Sequence, residues 1–181
     1  MLKRISGLYT KKPAFSFHPD FIAGTVEEID FIKLSEYGIK ACFVDLDGTV
    51  VHRGNFEVSP KVISVLRSVK LKVYIATNRP KGRDLKNLKE DLAAQGVAHP
   101  HGIFAKPTKR YFVNALQDKN LNPHEAVMIG DRFIQDILGA NRAGMYSLLV
   151  YKLDKPIGLP DRILSTIERR LTLWISKKYF K

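Results

Sequence analysis

The stretch Lys40-Ala41-Cys42-Phe43-Val44-Asp45-Leu46-Asp47-Gly48-Thr49 decides the fold. Residues 40–44 form a short apolar run rich in strand formers, and Gly48 permits a sharp turn just after it. Such a turn exposes side chains and backbone N–H groups at the strand's carboxyl end, where open α/β sheets bind ligands. Asp45 and Asp47 stand there two positions apart. Carboxylates that close repel, so they are costly unless a cation neutralises them or one keeps its proton. Either outcome suits a phosphoryl-transfer nucleophile site. The competing reading is an Asx turn, because Asp-Gly is a common turn pair and Asp47 can bond its own backbone.

Outward from this stretch the chain alternates strands with helices. Ser59-Pro60 reads as an N-cap and first helical position, with Val62, Ile63, Val65, Leu66 and Val69 as the buried face. Residues 72–76 form a second strand ending in Thr77-Asn78-Arg79-Pro80, and Leu85, Leu88, Leu92 and Ala93 then recur at helical spacing until Gly96. A third strand is expected at residues 102–105, followed at once by Lys106-Pro107-Thr108 and a helix through Tyr111, Phe112, Ala115 and Leu116. Residues 126–130 give a fourth strand ending in Asp131. Ile134, Ile137 and Leu138 open a helix that closes near Gly144, before a fifth strand at 146–151. The pattern predicts an α/β fold with a mainly parallel five-stranded sheet covered on both faces. Residues 1–39 precede it as an extension packed on the core, where Val26, Ile29, Phe31, Ile32 and Leu34 suggest a short helix. The core is expected over 40–155 and a basic amphipathic helix over 156–181, all within one domain.

Composition limits what such a domain does. A chain of 181 residues buries a substantial core without staples. The single cysteine, Cys42, lies in the apolar run and reads as a small buried hydrophobe. The first 20 residues contain no continuous apolar segment of the secretory kind, and nothing approaches the length of a transmembrane helix. A formal charge of +12 favours anionic partners: nucleic acid, acidic lipid surfaces or phosphorylated metabolites. His99-Pro100-His101 has no carboxylate or cysteine at ligand spacing and reads as loop.

Asp45, Thr77 and Asp131 each end a predicted strand, and Lys106 directly follows another. In a parallel sheet those ends share one edge. They assemble a nucleophile, a hydroxyl, an ammonium and further carboxylates, which is the inventory of phosphoryl transfer. The order D-L-D-G-T-V at 45–50, A-T-N at 76–78, A-K-P at 105–107 and G-D-R-F-I-Q-D at 130–136 resembles the haloacid dehalogenase superfamily. The resemblance implies a Rossmann-like three-layer α/β/α sandwich. It further implies that Asp45 attacks phosphorus, that Asp47 protonates the leaving oxygen and later activates water, and that Thr77 holds the phosphoryl group. Lys106 would neutralise charge. Asp131 would bind Mg²⁺ with the Asp45 carboxylate and the Asp47 backbone carbonyl, and Asp136 would support the metal's waters or Lys106. Gly48, Thr49, Asn78 and Arg79 would line the substrate site.

Only 28 positions separate Thr49 from Thr77, and 28 separate Asn78 from Lys106, which leaves no room for a cap domain. In this superfamily the capless architecture goes with substrates that are large or presented on a surface. Phe56, within 52–58, would form a small flap. Gly38-Ile39-Lys40, Lys106-Pro107 and the run from Asp136 to Gly144 resemble the YqeG-type, subfamily IIIA branch, which includes phosphatidylglycerophosphate phosphatases. Asn141-Arg142 is the most distinctive element of that likeness and would also touch substrate. That branch usually carries asparagine where this chain has Gly48. In the tail, Ile163, Leu164, Ile167, Leu171, Trp174 and Ile175 follow helical spacing among six Lys/Arg, which suits either an interfacial helix or packing on the sheet. The expectation is therefore a Mg²⁺-dependent lipid phosphatase, cytoplasmic and peripheral on the membrane face. A phosphatase of nucleic-acid ends or small metabolites is an alternative, and so is a non-catalytic anion-binding module.

Overall fold

A computed structural model describes residues 15–151 continuously, together with 3–4, 153 and 170. Except for Arg170, the expected helix over 156–181 lies outside the described residues. The strands are β1 (Lys3–Arg4), β2 (Phe21–Ala23), β3 (Ala41–Val44), β4 (Lys72–Ala76), β5 (Gly96–Ala98), β6 (Ala126–Gly130) and β7 (Tyr146–Val150). They form one sheet in the order β1-β2-β7-β6-β3-β4-β5, parallel throughout except for the β1–β2 pair. The helices are α1 (Phe31–Glu36), α2 (Pro60–Ser68), α3 (Arg83–Asp91), α4 (Lys109–Gln117) and α5 (Gly139–Ala143), the last continuing a π-helical turn over Phe133–Leu138.

Strand periodicity builds the two apolar layers. Cys42 and Val44 of β3, Val73 and Ile75 of β4, and Val127 and Ile129 of β6 share one face with Leu34, Leu66 and Leu88. Their alternates Phe43, Tyr74 and Met128 join Tyr111, Phe112 and Leu116 of α4 on the other. Both faces are covered, so these strands read as apolar runs. Burial pushes the Cys42 thiol up to about 12, which leaves it a packing group.

The parallel α/β class holds, with seven strands among the described residues and two differences of placement. The expected strand at 102–105 is instead a tight turn: Phe104 makes only a bridge to His101, and Gly102 sits at φ +60. The strand in that position is β5, which pairs with β4, and Lys106 follows a loop. Gly96 therefore begins a strand; helix α3 is closed earlier, by Leu92 with Ala93 at φ +50. The second difference is β2, which extends the sheet beside β7.

Strand β2 is fastened through a buried polar cluster. Asp20 accepts from the backbone N–H of Ser147 at 2.8 Å, and the Ser147 hydroxyl donates to Asn141 Oδ1 at 2.8 Å. Asn141 Nδ2 donates to the carbonyls of Ser16 and His18 at 2.8 and 3.0 Å. Asn141 lies in the last turn before β7, at the amino edge of the sheet, opposite the strand ends that carry Asp45 and Asp131. Arg142 beside it lies over the Phe15 ring at 5.2 Å. The pair expected at substrate thus binds the N-terminal extension to the core. Asn141→Ala strips partners from the buried Ser147 hydroxyl and from the half-buried Ser16 and His18 carbonyls, and is expected to cost about 1–3 kcal/mol. The check is a lower urea midpoint at unchanged slope.

Candidate active site

The sheet's order reverses at β3: β4 and β5 lie on one side, β6, β7 and β2 on the other. The crevice beyond the carboxyl ends of β3 and β6 is therefore a topological switch point. Asp45 follows β3 directly, and its N–H donates to Ile129 of β6 at 2.9 Å, which keeps it in register with the strand that delivers Asp131. The chain then turns sharply. Leu46 O accepts from the N–H groups of Thr49, Val50 and Val51 at 3.2, 3.0 and 3.0 Å.

Four charged side chains meet here, all buried: Asp45, Lys106, Asp131 and Asp136. The Lys106 ammonium donates to Asp45 Oδ1 at 2.5 Å, to Asp136 Oδ1 at 2.8 Å and to the Ala76 carbonyl at 3.0 Å, using all three protons. Asp136 also accepts from the Arg132 N–H at 3.1 Å, and Asp131 from the Thr49 hydroxyl at 3.2 Å. Burial pushes the Asp45 carboxyl up to about 7 against the pull of Lys106, and Asp136 adds to the rise. Burial works against the charge of Lys106, but Asp136 and Asp45 outweigh it and hold the ammonium protonated well above its ordinary range.

Two glycines make the crowding possible. A Cβ on Gly48, at φ +85, would stand 2.8 Å from Asp131 Oδ2, and one on Gly130 would stand 2.6 Å from the Asp136 Cβ. The glycine at 48, where the resembled branch carries asparagine, is thus matched to the Asp131 carboxylate beside it.

Asn78, Thr77, Arg79 and Asp47 stand around this cluster. Asn78 clamps the Lys106 backbone, accepting from its N–H at 2.9 Å and donating to its carbonyl at 3.1 Å. The Thr77 hydroxyl accepts from the Arg79 N–H at 3.0 Å. Asp47 does not cap its own turn. It accepts from Gly54 N–H at 3.3 Å and from Arg79 through Nε at 2.9 Å and Nη2 at 2.7 Å. Half-burial alone would raise the Asp47 carboxyl; the Arg79 hydrogen bonds and charge outweigh that and hold it below its ordinary value.

A cavity of about 160 Å³ opens over Asp45, Asp47, Asn78 and Lys106, and Arg53, Arg132 and Gln135 complete its lining. The sequence assigns these last three no role: Arg53 reads as a solvated loop residue, and Arg132 and Gln135 lie within the 130–136 motif beside its carboxylates. Tyr111 was likewise legible only as apolar helix face. Its hydroxyl donates to Ala98 O at 2.8 Å and Thr77 O at 3.3 Å, bracing the ends of β4 and β5.

One oxygen from each of Asp45, Asp131 and Asp136 lies within 4.8 Å of the others. With Asp45 ionised, three carboxylates against one ammonium leave this buried group two charges short of neutrality. An oxygen-only donor set with that deficit suits a hard divalent cation. Asp45 and Asp131 are the carboxylates placed to hold it, since Asp136 is committed to Lys106 and Arg132.

Residues 103–152 match a HAD-hydrolase-like family model. Over 165 residues, 90% of this chain and 93% of the relative, the sequence is 28% identical to "Probable phosphatase YqeG" of Bacillus subtilis. A shorter match, 44% over 48 residues, is to the phospholysine phosphohistidine inorganic pyrophosphate phosphatase of Danio rerio, covering 26% of this chain and 18% of that protein. Among solved structures, a haloacid dehalogenase-like family hydrolase from Streptococcus pneumoniae shares the fold with TM-score 0.50 and 16% identity, over 70% of this chain and 90% of that one.

Lys106→Met leaves Asp45 and Asp136 buried without their ammonium, and a loss of about 3–5 kcal/mol is expected at pH 7. The folded Asp45 carboxyl, raised above its unfolded value, binds its proton more tightly than the unfolded chain does, so the variant regains stability as pH falls from 7 towards 5. Urea midpoints at the two pH values check the sign.

Proposed function

We propose that this chain, similar to phosphatases of the haloacid dehalogenase type, hydrolyses phosphatidylglycerophosphate through a phosphoryl group carried on Asp45. The observation that carries the reaction is the buried Asp45–Lys106 pair beside Asp131 at the switch point. A Mg²⁺ ion held by Asp45, Asp131 and the Asp47 carbonyl would supply charge neutralisation on the phosphate oxygens.

The Asp45 carboxylate forms a bond to phosphorus as the bond to the leaving oxygen breaks. Lys106 keeps Asp45 oriented and offsets the charge gathered there. Arg79 holds Asp47 ionised in the resting site, so the proton reaching the leaving oxygen enters with the substrate monoanion, whose second pKa is about 6, and passes through Asp47. In the second half Asp47 takes a proton from water as the water oxygen attacks phosphorus. Inorganic phosphate leaves and Asp45 returns as carboxylate.

Two features support a lipid substrate. The interval between Thr49 and Thr77 holds only helix α2 and strand β4, so no inserted domain closes the cavity. Phe56 and Ile103, on loops, and Ile134, in the π-helical turn that follows β6, are exposed at the same edge of the sheet, Ile103 at 87%. The likeness to a probable phosphatase over nearly the whole chain supports phosphate hydrolysis and leaves the lipid to these two features. No helix among the described residues is long and apolar enough to cross a membrane.

The test is phosphate release from phosphatidylglycerophosphate in mixed micelles with Mg²⁺, beside a soluble phosphomonoester. Asp45→Asn is expected to lower both rates by at least about 10³-fold, and chelation to abolish them until Mg²⁺ is returned. Turnover of the soluble ester with the lipid left intact would overturn the lipid assignment and keep the chemistry.

A further inference from the structure

Arg79 does more than pair with Asp47. Its Nη2, which donates to Asp47 Oδ1, also donates to the Asn55 carbonyl at 2.9 Å. Its guanidinium carbon lies 4.7 Å from the centre of the Phe56 ring. Its backbone N–H is fixed by the Thr77 hydroxyl, so the end of β4 sets where the side chain starts. From the other side, Gly54 of the same 52–58 loop donates to Asp47 Oδ1.

We infer that Arg79 is a positioning residue that locks the Asp47 carboxylate and the 52–58 loop into one unit, so that the loop's placement and the geometry of proton transfer are set together. The inference rests on the phosphatase reaction proposed above. It also assigns the two Asp47 oxygens. A carboxylate offers about four acceptor sites, two on each oxygen. Among the described residues, Oδ1 takes two donors, Arg79 Nη2 and Gly54 N–H, whereas Oδ2 takes only Arg79 Nε. Oδ2 therefore keeps a lone pair for the reacting atoms, and it is the atom at which the proton is held. A planar fork is needed for this. A lysine ammonium carries the same charge but cannot hold both oxygens in plane while stacking on Phe56 and reaching Asn55.

The experiment uses the full chain with Mg²⁺ and p-nitrophenyl phosphate, comparing Arg79→Gln, Arg79→Lys, Phe56→Ala and the Arg79→Gln/Phe56→Ala double variant. Amide hydrogen exchange over 52–58 is followed in parallel. Both Arg79 variants are expected to lower kcat about 10- to 100-fold, with KM shifted far less. The 52–58 amides are expected to exchange at least about 10-fold faster while β3 and β6 stay as in the native chain. Phe56→Ala gives a smaller change that adds nothing to Arg79→Gln, as expected of groups acting as one unit. Native kcat with a raised KM in Arg79→Lys would make Arg79 a plain anion ligand and overturn the inference; so would unchanged 52–58 exchange in Arg79→Gln. A native chain inert towards every phosphomonoester would overturn the phosphatase reading and the positioning role with it, while the exchange data would still tell a coupled loop from an uncoupled one.

Discussion

Three carboxylates buried around one ammonium are the constraint on which the rest of this structure depends. An isolated ion taken out of water costs several kcal/mol even after relaxation, so Asp45, Asp131 and Asp136 are tolerable only if their partners are placed before the site closes. Lys106 is placed by Asn78, which grips its backbone on both sides, and by the Ala76 carbonyl, which takes its third proton. Asp136 is held by the Arg132 N–H as well as by Lys106. The scaffold contributes rigidity where the chemistry requires it: both strands that deliver the carboxylates are buried on two faces, and β3 is hydrogen-bonded along both edges.

The same cluster explains the local peculiarities of the sequence around it. Gly48 and Gly130 stand where a side chain would collide with a carboxylate. The polar residues of the β4 turn divide the work between them: Thr77 fixes Arg79, Asn78 fixes Lys106, and Arg79 fixes Asp47. Four consecutive residues, from the last of β4 onward, thus each support a charged group of the site.

At the opposite edge of the sheet the chemistry is structural. Asp20, Asn141 and Ser147 form a satisfied polar cluster that fastens β2 beside β7. Asn141-Arg142 drew notice in the sequence because it is distinctive. Its position one helix after Asp131 carries it the length of the π-helical turn and α5, away from the carboxyl edge and down to the start of β7. A helix that leaves a strand at one edge of a parallel sheet must return to the other, and residues late in the helix belong to that other edge.

The features legible along the chain are local ones. The alternation of apolar runs with helical periodicity, the Asp-Gly turn and the Ser59-Pro60 start each depend on residues within a few positions of one another, and they suffice for the parallel α/β class and for Asp45 and Asp131 at strand ends. Only the tertiary structure decided what depends on pairing between distant segments. An apolar run at 102–105 and a mixed one at 96–98 compete for the edge of β4, and backbone register selects the second, turning the first into the loop that carries Lys106. The Arg79–Asp47 fork, the Tyr111 brace and the joining of β2 to the sheet link residues 32, 34 and 127 positions apart. No periodicity records such links, because they follow from which strand ends the fold brings to one edge.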